Sequence, residues 1–89
     1  MKGVITVLGC DKVGIIASIT GILAGTNVNI LDISQTIMQN IFSMTMIVDL
    51  SKIKVEFSDL SEQLKKVGEE LGVEVRLQSE EIFTSMHRI

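Results

Sequence analysis

Tryptophan and tyrosine are absent from this chain of 89 residues, and cysteine and histidine each occur once. One cysteine rules out an intrachain disulfide. A domain this small then relies on a modest apolar core, helped by a metal or by self-association. The same cysteine usage fits a reducing, cytoplasmic setting. Three phenylalanines are the whole aromatic supply, the formal charge is −3 and the pI is about 5.0. Base stacking and a basic patch are both missing, so no nucleic-acid partner is expected. No apolar run nears the roughly 18 residues that span a bilayer, and no membrane partner is expected. Met1-Lys2-Gly3 leads straight into a strand-like run without a signal-peptide pattern. With one histidine and no paired-carboxylate motif, catalysis lacks its usual nucleophile or acid–base pair. No enzymatic activity is expected.

What is present is alternation of strand and helix periods. Residues 3–9 are apolar on both faces, which predicts a central strand. Asp11 is a natural N-cap for a helix over about 12–25, whose apolar face is Ile15, Ile16, Ile19, Ile22 and Leu23. A second stripe on that helix is small: Gly14, Ser18, Gly21 and Gly25, with Ala17 and Ala24 beside them. It suits close packing of another helix, within the chain or across a dimer, or room for a ligand at the Gly14 end. Gly25 is placed to end the helix. A long strand follows over 28–38, and its apolar parity switches near Ile30–Leu31, which predicts a bulge. Gln39-Asn40 suits a two-residue turn with positive φ on Asn.

The strand 41–50 alternates cleanly, with Phe42, Met44, Met46 and Val48 toward the core. Ser58 is placed to cap a second helix whose buried stripe is Phe57, Leu60, Leu64, Val67 and Leu71. Gly72 ends it, and Val73, Val75 and Leu77 alternate in a last strand to residue 78. The tail, 79–89, has helical spacing in Ile82, Phe83, Met86 and Ile89. So short a helix must dock its apolar face on the domain or on a partner subunit.

This order predicts an α+β, ferredoxin-like βαββαβ sandwich: a four-stranded antiparallel sheet, two helices on one face, and a short C-terminal helix. Residues 1–78 form the domain and 79–89 the tail. The fold decides no function, but departures exclude some. Cys10 stands alone where a metallochaperone carries a Cys-x-x-Cys turn. Only Lys12 stands where an acylphosphatase-like loop needs an arginine.

Asp11-Lys12-Val13-Gly14-Ile15-Ile16-Ala17, then Leu23-Ala24 and Asn27-Val28-Asn29-Ile30, resembles the opening of an ACT domain. The pattern is an acidic-x-x-Gly turn, a helix, and Asn-Ile entering the second strand. The strand Phe42-x-Met44-x-Met46-x-Val48-Asp49 suits the same family. The tail, from Glu80 to Ile89, resembles that of small stand-alone ACT proteins of unassigned function, related to the glycine-cleavage repressor type. The resemblance implies a regulatory module that works as a homodimer or higher oligomer and binds an amino acid at the interface. Its site is then the turn Asp11, Lys12, Val13, Gly14 and Ile15 of one subunit, facing Asn27, Val28, Asn29 and Ile30 of the other. No cofactor and no resident metal are implied. Most ACT domains are fused to the enzyme they control, so the implied output is contact with a separate enzyme or transcription factor.

The residues agree with that placement. Free N–H groups of Gly14 and Ile15 at a helix start suit a carboxylate, and Asn29 offers both a donor and an acceptor to an amino acid. Two other readings stand beside it. One is an assembly module without a small ligand. The other is a soft-metal protein using Cys10, Met44, Met46, Met86 and His87. The plainer roles are a packed Cys10, solvated Gln35 and Gln39, methionines as core filler, and His87 as a helix-end partner.

Overall fold

The computed structural model describes residues 1–10 and 14–81. The elements are β1 (Lys2–Gly9), α1 (Ile15–Gly25), β2 (Asn29–Met38), β3 (Ile41–Asp49), α2 (Phe57–Leu71) and β4 (Glu74–Ser79). The four strands form one sheet in the order β2-β3-β1-β4 with every neighbouring pair antiparallel. This is the expected βαββαβ sandwich. Glu80 and Glu81 adopt helical backbone after β4. The rest of the expected tail helix, including Ile82, Phe83, Met86, His87 and Ile89, lies outside the described residues.

The strand periods decide which face is buried. Phe42, Met44, Met46 and Val48 of β3 point to one side and are at most 3% exposed. Ile5 and Val7 of β1 and Leu77 of β4 share that side. Ile15, Ile19 and Leu23 of α1 and Leu60 and Leu64 of α2 close over it. Each such fully buried side chain contributes about 1.5–3 kcal/mol. Met44 and Met46 therefore serve as core, not as surface ligands. The expected bulge is present: the β2–β3 register shifts between Ile30 and Asp32, leaving Leu31 as the extra residue.

Helix ends depart from expectation, because tertiary contacts select among several suitable residues. α1 starts at Ile15 rather than near residue 12; its N-cap is Gly14 at φ 80°, with no side-chain cap. Asp11, expected there, lies outside the described residues. At the other end Gly25 is the last helical residue and Thr26 the C-cap, while the left-handed position is Asn27 at φ 63°. The Val28 N–H reaches back to the Leu23 carbonyl at 2.8 Å, closing the end. α2 starts at Phe57 after an extended Glu56, so Ser58 sits inside the helix and caps nothing. Leu71, expected in its buried stripe, is exposed. The Gln39-Asn40 turn forms, but the positive φ falls on Gln39 at 55°.

Two glycines carry information. A Cβ on Gly68, in the middle of α2, would sit 2.8 Å from the Val73 carbonyl oxygen. The glycine lets α2 press onto the start of β4. Gly21, in the small stripe of α1, is the opposite case: a Cβ there, or on Gly25, meets nothing within 4 Å. Among the described residues no helix packs against Gly21 or Gly25.

Candidate functional site

The first half of the expected site is the β1–α1 turn. Asp11, Lys12 and Val13 lie outside the described residues. Gly14 and Ile15 are described, and they serve through their backbone. Gly14 is exposed, and the space where its Cβ would stand is empty to 4 Å. Its carbonyl accepts from Ser18 N–H at 2.9 Å, which opens the helical ladder. The N–H groups of Ile15, Ile16 and Ala17 therefore precede the ladder and have no intrahelical acceptor. No acidic side chain stands in that first turn to quench them. The Ile15 side chain is core, 1% exposed, so only its N–H can meet a ligand. Cys10, expected to pack beside this loop, is exposed.

The second half is the start of β2, and the structure divides its four residues. Asn27 Nδ2 donates to the Lys52 carbonyl at 2.8 Å, and its left-handed backbone ends α1. That occupies Asn27 structurally. Val28 is 7% exposed and belongs to the core, and Ile30 is half-buried against it. Asn29 is exposed, as Asn27 is, but carries no such tie to the Lys52 loop; it is paired across the ladder with Asp49.

Asn27, Val28 and Asn29 line a shallow hollow of about 310 Å³ together with Ala24, Asp49, Ser51 and Lys52. Ser51 and Lys52 were not singled out by sequence, and Asp49 only as the end of the β3 pattern, although Asp-Leu-Ser is a turn signal. Asp49 Oδ1 accepts from Ser51 N–H at 2.9 Å. That bond, then the Ser51 hydroxyl, holds the Asp49 carboxyl below the usual carboxylate range. At neutral pH the hollow therefore presents the Asp49 carboxylate beside Asn29 and Lys52. A zwitterion meets opposite charges in it.

The two halves stand at opposite ends of one sheet. Gly9, leading into the turn, pairs with Phe42, whereas Asn29 pairs with Asp49 at the far end of β3. Seven strand steps separate those positions, about 23 Å. One protomer does not bring Gly14 to Asn29.

A larger groove, about 560 Å³, runs between α2 and β4 beside Gly68, Gly72 and Val75. Its rim mixes Lys65 and Glu69 with a Glu74–Arg76 ion pair of 3.0 Å. Only the mid-helix Gly68 signalled it in sequence. Among the described residues no cluster of three His, Cys, Asp or Glu side chains is placed to hold a metal. Met86 and His87 of the soft-metal reading lie outside the described residues. No described helix is long and apolar enough to cross a membrane.

Comparison with known proteins agrees with this fold. The ACT domain family profile matches residues 3–78. A UPF0237 protein of Methanocaldococcus jannaschii is 57% identical over 86 residues, covering 97% of this chain and 96% of its own. The structure of an ACT domain protein from Streptococcus pneumoniae superposes with a TM-score of 0.80 at 41% identity, covering 93% of each chain. A glycine cleavage system transcriptional repressor superposes at 0.71 over 86% of this chain and 44% of its own; at 19% identity it shows the shared fold alone. The chain belongs to the ACT-domain family, among the uncharacterised UPF0237 proteins.

Proposed function

We propose that this ACT-domain chain is a regulatory module that binds a free amino acid between two copies joined along β2. The bound state is then passed by protein contact to a separate enzyme or transcription factor in the cytoplasm, without chemistry of its own. The observation that supports this reading is the placement of the two half-sites at opposite ends of a sheet whose open edge is β2. Antiparallel pairing about a two-fold axis reverses the second copy. It sets the partner's Asn29 at the same end of the joined sheet as Gly14. The N–H groups ahead of α1 then meet the ligand carboxylate, and the partner subunit's Asn29 and Asp49 meet its ammonium group.

The edge itself suits a second copy. Among the described residues eight large apolar side chains stand exposed, and five of them, Leu31, Ile33, Ile37, Met38 and Ile41, lie on the β2–β3 hairpin. Ile33 and Ile37 point to the helix side of the sheet, paired with Met46 and Phe42. They are nonetheless 41% and 56% exposed. β2 carries one charged residue in ten, Asp32, whereas β4, the other edge, is guarded by exposed Glu74 and Arg76. A stable dimer buries about 800 Å² per copy. The assembly reading without a small ligand uses the same edge, so the ligand must be tested directly.

The test is a thermal-shift screen of the twenty amino acids with Asn29→Ala as control. Saturation at about 100 times the dissociation constant adds roughly 2.7 kcal/mol, a rise of about 10–20 °C in a domain of this size. A selective rise that is lost in Asn29→Ala supports the sensor. No rise with any amino acid rejects it in favour of assembly alone.

A further inference from the structure

The free edge of β2 is already occupied at one point, and by the chain itself. In an edge strand, alternate N–H groups face the neighbouring strand and the open side. The Ile33 N–H donates at 2.9 Å to Oδ1 of Asp32, the residue just before it. That acceptor is an exposed side chain, which places this N–H on the open side, and Gln35 and Ile37 share its parity.

The bulge adds to the point. Leu31 is the inserted residue, and Asp32 is the first residue back in register with β3. The regular part of the edge is therefore 32–38. A two-fold antiparallel pairing centred on Gln35 uses all of it. Ile33 then lies opposite the partner's Ile37 on the helix side, and Asp32 opposite the partner's Met38. The two carboxylates are kept at opposite ends of the seam, so pairing brings no like charges together. The seam needs the Ile33 N–H as a donor to the second copy.

We propose that Asp32 is a gate on this pairing: its carboxylate caps the Ile33 N–H in the single copy and must release it when a second copy docks along β2. The inference rests on the edge-paired dimer proposed above. It assigns Asp32 a role against association, since a charged side chain is held at the place where a strand would add. The bulge and Asp32 together explain how one of the chain's most apolar exposed strips avoids indiscriminate sheet extension. A partner strand that matches the 32–38 register offers its own carbonyl in exchange for the lost cap; a mismatched one leaves the cap in place and gains less.

The test compares dimer dissociation constants of the wild type, Asp32→Ala and Asp32→Asn by sedimentation over a dilution series. Amide hydrogen exchange of Ile33, Gln35 and Ile37 is followed in the same samples. Removing two caps per dimer, one from each copy, should tighten the dimer about fivefold or more in Asp32→Ala. Asp32→Asn keeps an acceptor without the charge and should fall between. The single copy of Asp32→Ala, measured at low concentration, should be no more stable than the wild type. A purely structural Asp32 would weaken both states together.

If the three amides are protected in the dimer but Asp32→Ala fails to tighten it, the gate is overturned and the edge pairing stands. If the dimer leaves those amides unprotected, or none of the three proteins dimerises, the edge pairing and the gate fall together.

Discussion

Replacing Asn27 by alanine should destabilise the fold even though the side chain is exposed. Two contributions are separable. The backbone stands at φ 63°, a conformation that costs an ordinary L-residue about 1–2 kcal/mol and that asparagine tolerates. The amide also donates to the Lys52 carbonyl at 2.8 Å, a bond worth about 0.5–1 kcal/mol at an exposed site. Asn27→Ala loses both, roughly 2 kcal/mol, or about 8–16 °C in melting temperature. Asn27→Gly loses the bond but relieves the backbone, so it should lie within about 0.5 kcal/mol of the wild type. Asn27→Asp keeps tolerance of the backbone but sets an oxygen against the Lys52 carbonyl, and should fall between them. Urea unfolding of the four proteins measures the series. Equal losses in alanine and glycine would refute the backbone argument. A series without effect on stability, but with lost amino-acid binding, would return Asn27 to the ligand wall.

Other outcomes follow from single contacts. Gly68→Ala should cost about 1–3 kcal/mol, because its Cβ would stand 2.8 Å from the Val73 carbonyl and 3.0 Å from Val75 Cγ2; chemical denaturation reads this directly. Gly21→Ala meets open space and should instead stabilise α1 by about 0.5–1 kcal/mol. Gly21→Leu should leave assembly intact if copies pair along β2, and analytical ultracentrifugation would expose a failure of that claim. Asp49 titrates below the usual carboxylate range because Ser51 donates to its ionised form. Its contribution is therefore present above about pH 4 and lost as pH falls further. Asp49→Asn should remove that part of the acid limb, seen as a flatter stability profile below pH 4.

Much of this architecture is legible in the sequence because burial imposes a period. Phe42, Met44, Met46 and Val48 alternate without a break, and all four are buried. The bulge is legible because Val28 and Ile30 change parity with Ile33 and Ile37, and the register slips between them. Caps are less legible, since several residues near each helix end suit the position. Ser58 has the better cap chemistry, but the cap falls two residues earlier, on Glu56, with Leu60 N–H bonded to the Glu56 carbonyl at 3.1 Å. Gly25 and Asn27 can each take a left-handed turn, and the Lys52 carbonyl, 25 residues on, favours Asn27. The candidate site was the hardest part. Asn27, Val28, Asn29 and Ile30 are consecutive, yet the first ends a helix and is tied to the Lys52 carbonyl, Val28 and Ile30 belong to the core side, and Asn29 is exposed without that tie. Which end of the sheet each half occupies depends on the order β2-β3-β1-β4, and no local pattern carries that order.

The central claim is that one binding site takes its two halves from two copies. Mixing two disabled variants tests it: Gly14→Leu, which fills the turn, and Asn29→Ala, which strips the facing wall. Neither alone should bind the amino acid that the screen selects. After exchange of subunits, half of the dimers are mixed, and two-fold symmetry gives each of these one wholly intact site and one doubly altered site. Calorimetry of the mixture should then recover about a quarter of the wild-type sites at wild-type affinity. If mixing restores nothing while exchange is shown to occur, the site lies within a single copy and the account is wrong.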